Sequence, residues 1–371
     1  MAAKRKRTRK RDASAGGAQL PALSTLRDLP AYDELAPSDA QRAAAEADKS
    51  QLVADGIAEP DELALAFVCR LDRGYPALCW EGGVFRAEFA TRLTKDDGRV
   101  AVGDWVVARL PGGNDMGLVQ TVLPRESDIA RWRGSNRGER QTLAANVDVV
   151  IAAYALGDRE PDMSRIARSV VVALDCGAHA AVVLTKADRC TDAGAAQAAV
   201  SRVLGADVPV VLTSSEMGEG IDDVRALVPA GTSGMLLGAS GAGKSTLLNA
   251  LLGRDVLETG AVRASDDAGR HTTVARRMVS IPGAGVIVDE PGLRSLPLVG
   301  HERGLALAFP DIADAARTCR FRDCTHDHEP GCGVRAEAAE GAFDEDALDV
   351  YLALASEMRA SAGTLDPDVV L

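Results

Sequence analysis

The sequence predicts a multidomain α/β protein: a small N-terminal β-barrel of the OB type, a doubly wound parallel sheet, and a cysteine-rich helical unit at the C-terminal end. Three observations carry this. Short β-type runs separated by glycine turns fill Leu63 to about Arg131; β- and α-type segments alternate from Val147 onward; and three cysteines with two histidines crowd into residues 319–332. The corresponding units are 1–62, a basic, Ala/Pro-rich flexible extension, then 63–135, 136–300 and 301–371.

Composition bounds the function. A chain of 371 residues with 46% apolar content has ample core for two or three domains. No apolar run approaches the ~18 residues that span a bilayer, and no signal-peptide pattern is present, so a cytoplasmic protein without a membrane partner is expected. Seven cysteines, an odd number, argue against a disulfide framework; Cys69, Cys79, Cys176 and Cys190 read as isolated core residues. A net charge of −12 confines any nucleic-acid contact to local basic patches. One patch is Lys4-Arg5-Lys6-Arg7 with Arg9, Lys10 and Arg11, an arm for nucleic acid or a solubilising tail. From 12 to about 62 little fixed structure is expected beyond one helix near Ser38–Ala54.

The barrel strands are Leu65–Cys69, Tyr75–Trp80, Gly83–Phe89, Trp105–Leu110 and Met116–Leu123. Five strands in so short a stretch suit an OB-fold, which commonly holds oligonucleotides. Its exit, Pro124-Arg125 to Arg131-Trp132-Arg133, sets cations beside an aromatic, as RNA-contacting surfaces do. Beyond it come strand Val147–Ala153, helix Ser164–Cys176, strand Ala180–Leu184, helix Ala193–Leu204 and strand Val208–Leu212. In such a sheet ligands bind at the carboxyl ends of the strands.

The next strand, Gly234–Leu237, runs into Gly238-Ala239-Ser240-Gly241-Ala242-Gly243-Lys244-Ser245-Thr246 and then an apolar helix. This is a phosphate loop in its proper strand–loop–helix context. Backbone N–H groups and the helix start surround an anion, Lys244 reaches the β- and γ-phosphates, and the Ser245 hydroxyl binds Mg²⁺. Upstream, Thr185-Lys186-Ala187-Asp188 follows a strand end. A buried Asp188 would accept the N1–H and exocyclic amine of guanine, a donor pair adenine lacks. Thr185 stands where an asparagine is usual and removes an amide that would brace the loop. Ser214 and Ser215, closing the following strand before Gly218-Glu219-Gly220, back the same base.

Downstream lies Gly269-Arg270-His271-Thr272-Thr273, where a threonine hydroxyl completes Mg²⁺ coordination; Thr272 and Thr273 both qualify, and Thr272 is taken. Asp289-Glu290-Pro291-Gly292 then ends an apolar strand: Asp289 holds Mg²⁺ and the Gly292 N–H faces the γ-phosphate. Leu293 occupies the place of a water-orienting glutamine and cannot serve, so a partner or another residue, with His271 the best placed within the chain, must complete the site. The base motifs precede the phosphate loop, the reverse of the ordinary order, so this P-loop GTPase domain is circularly permuted. The segment after Asp289 should therefore feel the γ-phosphate.

Cys319, Cys324 and Cys332, with His326 or His328, can enclose one structural Zn²⁺. Arg317, Arg320, Arg322 and Arg335 surround this knuckle, and Ala347–Arg359 reads as a final helix packing on it.

From about Leu63 to the C-terminus this set resembles the circularly permuted ribosome small-subunit-dependent GTPase A family, in the barrel, Ala144-Ala145-Asn146-Val147-Asp148, the permuted motif order, Gly-Arg-His-Thr-Thr and the Cys-x₄-Cys-x-His-x₅-Cys knuckle. The resemblance implies that His326, not His328, is the zinc ligand, and that the histidine at 271 takes part in catalysis. It also implies GTP hydrolysis stimulated by the small (30S) ribosomal subunit during its late maturation, and contacts to 16S rRNA through barrel and zinc domain. A monomer using GTP/GDP, Mg²⁺ and Zn²⁺ is expected. Two alternatives are an ATP-using enzyme on the same loop and a nucleotide-gated RNA-binding scaffold with little intrinsic hydrolysis.

Overall fold

A computed structural model describes residues 23, 28–72, 75–91, 93, 100–112, 116–133, 139–254, 276–289 and 298–362. The barrel consists of β1 (Leu63–Asp72), β2 (Tyr75–Trp80), β3 (Gly83–Phe89), β4 (Trp105–Arg109) and β5 (Gly117–Val122), in the order β1-β2-β3-β5-β4, closed by β4 pairing back onto β1. β1 serves both neighbours because a bulge between Val68 and Arg70 bends it; Leu63–Phe67 pairs with β4 and Phe67–Asp72 with β2. Ala66, Val68, Leu78, Phe85, Val106 and Val119 fill the interior.

By strand alternation Phe67 and Cys69 point out of the barrel, yet both are fully buried. The chain before residue 62 covers them. Tyr32 stacks at 6.4 Å on Phe67 and meets Trp105 edge-on at 5.8 Å, while the Cys79 thiol donates to the Pro30 carbonyl at 3.4 Å. Helix α1 (Asp39–Ala54) begins at Ser38, which exchanges capping bonds with Gln41, and buries Ala45 and Leu52. The expectation of little fixed structure up to 62 is thus corrected for the described part. The barrel's apolar outer wall supplies burial that local composition does not advertise. The basic arm at 4–11 lies outside the described residues.

A hairpin of β6 (Asp128–Arg133) and β7 (Glu139–Ala145), which the sequence reading missed, leads out of the barrel. Arg125, expected at an RNA-contacting surface, is instead an internal tie. It clasps Asp104 at 2.7 and 2.8 Å and lies 3.5 Å from Asp128. Asp104 is fully buried; burial pushes its carboxyl up, and Arg125 pulls against that by pairing the charged form. Arg131, Trp132 and Arg133 are described only through the β6 backbone.

The second sheet contains β8 (Val149–Ala155), β9 (His179–Thr185), β10 (Val210–Thr213), β11 (Ser233–Leu237), β12 (Arg276–Ser280) and β13 (Val286–Asp289), ordered β10-β9-β8-β11-β13-β12. All pairings are parallel except that of β12. Helices α2 (Met163–Asp175) and α3 (Ala193–Leu204) cover one face, with Val150 and Ala152 against Ile166 and Val200 in one core. Helices α4 (Ile221–Ala226) and α5 (Lys244–Leu252) cover the other, sharing a core with Val149 and Ile151. Burial on both faces explains the unbroken apolar strands that made this unit readable. β12 also pairs with β1 (Arg70↔Arg277, Leu71↔Arg276), so barrel and parallel sheet form one eleven-stranded sheet.

Four helices close the chain: α6 (Glu302–Ala308), α7 (Pro310–Ala316), α8 (Gly333–Ala339) and α9 (Glu345–Ala362). α6 and α9 dock on α2, where Asp175 accepts the Gly304 N–H at 2.8 Å and Arg168 pairs with Glu357, while α7 packs on α6 and α8. Tyr351 of α9 meets Phe309 edge-on at 5.9 Å and lies 6.2 Å from His326, so the last helix packs on the knuckle as expected and on α2 as well.

Candidate functional site: a phosphate loop between base-reading strands and a Cys₃His cluster

The expected nucleotide residues gather at the carboxyl ends of neighbouring strands. Thr185 ends β9, Thr213 precedes Ser214 at the end of β10, Leu237 leads from β11 into the phosphate loop, and Asp289 ends β13. The loop 238–243 turns back on β8 tightly enough that a Cβ on Gly238 would sit 2.4 Å from the Ala153 carbonyl. Gly243, at φ 81°, caps α5 in a left-handed conformation, which sends Lys244 and Ser245 into the first helical turn. Lys244 Nζ donates to the carbonyls of Gly238 (2.6 Å) and Ala239 (3.0 Å), which places its ammonium inside the loop.

Two expectations change at the base-reading motif. Thr185 does brace the loop: its buried hydroxyl donates to the Ala242 carbonyl at 2.8 Å, joining the two motifs directly. The shorter side chain suffices because a Cβ at Gly243 would already stand 3.2 Å from Thr185 Oγ1. Lys186, in the left-handed region at φ 58°, adds a second tie from Nζ to the Gly241 carbonyl at 2.8 Å. Asp188 is not buried; its side chain keeps 25% of its exposure at the strand end. The Ser214 hydroxyl, itself fully buried, donates to Asp188 Oδ1 at 2.6 Å and fixes the carboxylate, with Arg189 3.7 Å from Oδ2. Ser215 is half-buried beside this pair.

Asp289 and Ser245 offer the hard oxygen ligands that Mg²⁺ prefers, on adjacent strand and helix ends. Arg277, which no motif singles out, stands opposite Asp289 across β12–β13 with Nε 3.8 Å from Oδ2. His271, Thr272, Thr273, Gly292 and Leu293 lie outside the described residues. A cleft of about 830 Å³ lies elsewhere: it opens at the amino ends of β8 and β9 beside α3 and α7, away from the phosphate loop.

The second centre is the Cys₃His cluster. Ligand atoms of Cys319, Cys324, His326 and Cys332 all lie within 4.8 Å of one another. Cys319 and Cys332 sulfurs are 3.9 Å apart, and each is 3.5 Å from His326 Nδ1. A tetrahedron with ordinary zinc bond lengths requires about 3.8 Å between sulfurs and about 3.6 Å from sulfur to nitrogen, so these residues fit the ion. His326 is buried within the cluster, whereas His328 points to solvent beside Asp327. Burial holds the His326 imidazole below its usual pKa, favouring the neutral form that binds metal. Burial opposes ionisation of Cys319, but N–H groups of Val334 and Gly333 more than offset it and lower that thiol; burial pushes Cys324 up to about 12. Arg335 of α8 holds the loop through the His326 carbonyl at 2.8 Å and lies 3.7 Å from Asp327, and Arg317 pairs with Asp314. Among the described residues Arg320 and Arg322 carry no acid partner; between them Phe321 is exposed, with the Arg320 guanidinium 5.5 Å from its ring centre.

Residues 122–299 match the model of the RsgA GTPase family. Over 302 residues the chain is 45% identical to the small ribosomal subunit biogenesis GTPase RsgA of Streptomyces avermitilis, spanning 81% of this chain and 80% of that one. The protein of the same name from Syntrophotalea carbinolica is 36% identical over 311 residues, 81% of this chain and 85% of its own. Among solved structures, YjeQ from Thermotoga maritima superposes with a TM-score of 0.61 at 23% identity, covering 80% of this chain and 99% of its own. YloQ, described as a circularly permuted GTPase, gives 0.60 at 20% identity, covering 81% and 96%. Those two establish the fold. With base-reading strands that precede the phosphate loop and sequence likeness across four-fifths of its length, this chain belongs to the RsgA GTPase family.

Proposed function

We propose that this chain is a GTP hydrolase that binds the small (30S) ribosomal subunit and acts in its late maturation, with hydrolysis stimulated by the subunit and coupled to release. One observation carries the reading: Ser214, Asp188, Thr185 and the phosphate loop are joined by short hydrogen bonds into one wall, so a guanine held by Asp188 is in fixed register with phosphates on Lys244. The relatives named for small-subunit biogenesis support that choice of partner.

In this reading Asp188 accepts the two guanine donors while Ser214 orients it, and Ser215 backs the ring. The N–H groups of Gly238, Ala239, Ser240, Gly241, Ala242 and Gly243, with Thr246 at the helix start, wrap the phosphates, and Lys244 neutralises the charge that develops on the leaving and transferring groups. Ser245, Thr272 and Asp289 would hold Mg²⁺, which would supply charge compensation for the phosphates. Gly292 donates to the γ-phosphate, and His271 orients the attacking water in a site that the subunit completes. Cys319, Cys324, His326 and Cys332 hold a structural Zn²⁺ that presents Arg320, Phe321 and Arg322 to 16S rRNA. An exposed aromatic flanked by unpaired cations suits an unstacked base and its phosphates. The protein works as a cytoplasmic monomer; among the described residues no helix is long and apolar enough to cross a membrane.

Competition binding tests the site. GTP and GDP should displace a fluorescent guanine nucleotide at concentrations at least about a hundredfold below ATP, and Asp188→Asn should abolish that preference. Equal displacement by ATP in the wild type would favour the ATP-using alternative.

A further inference from the structure

β12 lies between the barrel and the strand that ends in Asp289, and Arg277 is the centre of a row of charges running across it. Arg277 faces Asp289 in the β12–β13 register and Arg70 in the β1–β12 register. Cross-strand partners share a face of the sheet, so these side chains are neighbours. Arg277 and Asp289 are 19% and 18% exposed, and their separation of 3.8 Å is an ion pair shielded from most solvent. Arg70 is compensated from its other side by Asp72 at 2.8 Å, and Asp72 is shared with Arg86 of β3, also at 2.8 Å. The row thus reads Arg86, Asp72, Arg70, Arg277, Asp289, and Arg70–Arg277 is its one like-charge step. Opposed like charges destabilise a strand pair.

We propose that Arg277 is a positioning residue for Asp289 and, through Arg70, makes the barrel–sheet junction respond to the metal–nucleotide complex. Mg²⁺ drawn to Asp289 competes with the guanidinium for one carboxylate. As Asp289 turns its charge to the ion, the repulsion between Arg277 and Arg70 is less offset. The effect falls on β1–β12, whose two register pairs are the strand pairing that joins barrel to parallel sheet among the described residues. Linkage makes the effect reciprocal: a partner that draws the barrel away from β12 raises the affinity of Asp289 for Mg²⁺. This inference rests on Asp289 as a Mg²⁺ ligand.

The test uses the full chain with GDP and titrated Mg²⁺, reading labelled-GDP affinity together with amide hydrogen exchange of peptides covering residues 68–72. In the wild type, Mg²⁺ with GDP should speed exchange at 70–72 relative to GDP alone. Arg277→Gln should lower the half-saturating Mg²⁺ concentration roughly fivefold, the scale of one partly exposed ion pair, and remove the Mg²⁺ effect on exchange. Arg277→Lys should restore both, which a loss of packing does not predict. Unaltered GDP affinity without Mg²⁺ reports that Arg277→Gln is folded. Asp289→Asn separates the two claims. If GDP affinity still depends on Mg²⁺ in that variant, the ligand assignment fails; if the dependence is lost but Arg277→Gln matches wild type within twofold, the positioning role fails alone. Wild-type exchange at 70–72 that ignores Mg²⁺ would overturn the coupling.

Discussion

Thr185 carries more of the site than its place in a base-reading motif indicates. Its hydroxyl ties the strand that presents Asp188 to the phosphate loop through the Ala242 carbonyl. Thr185→Val keeps the shape and removes that donor, leaving a carbonyl inside the loop unpaired. Labelled-GDP titration should show affinity reduced roughly fivefold to tenfold, the effect of one neutral hydrogen bond at a buried position; an unchanged constant would assign the brace to Lys186 alone. In the barrel, Asp72 sits between Arg70 and Arg86. Burial raises its carboxyl, yet the two guanidinium groups more than offset this and hold it below the usual carboxylate range. A depressed folded pKa contributes stability that is complete above the unfolded value near 4 and fades as pH falls through the folded one. Asp72→Asn should therefore melt lower than wild type at pH 7, and the gap should begin to close only below about pH 4, vanishing once pH has fallen through the lower folded value. A gap that persists at low pH would trace the loss to packing instead of charge.

The elements fall into two groups by how plainly their sequences announce them. β8, β9, β11 and β13 are apolar on both faces because helices cover both, and glycines or acids mark their ends, so the nucleotide strands were legible with the motifs at their tips. β12 was not: Arg276-Arg277-Met278-Val279-Ser280 is a short, half-polar run that becomes a strand only by lying between β1 and β13. The helix at 39–54 was expected, but its docking and the ordering of 28–38 were not, since Tyr32 and Leu52 find their partners on the barrel and not in their own stretch. Tyr32→Ala should cost about 2 kcal/mol by exposing Phe67 and Trp105, measured by denaturant unfolding. The knuckle was legible as a ligand set; residue spacing left two histidines open, the family resemblance pointed to His326, and the burial of His326 agrees with it. Metal analysis should find about one zinc per chain in wild type and His328→Ala, and close to none in His326→Ala. Equal zinc in all three would reject the tetrad.

Across the whole molecule, the permuted order has a mechanical result. The chain leaves Asp289 and enters the helices that carry the cluster, and those helices are also fastened to α2 through Arg168–Glu357 and Asp175–Gly304. β12, on the opposite side of β13, reaches the barrel. Asp289 thus has the barrel on one side and the Cys₃His unit downstream. Asn146 marks the joint: its side chain bonds Gly103, Gln41 and the Glu126 N–H, and its carbonyl accepts from Ser233. None of these links could be read from the sequence, because each joins segments tens of residues apart. The most direct test of the central claim is phosphate release from GTP, measured with and without purified 30S subunits. A chain whose site is completed by its partner should turn over faster with subunits by roughly two orders of magnitude or more, and Lys244→Ala should remove that stimulation. Equal rates with and without subunits would contradict it.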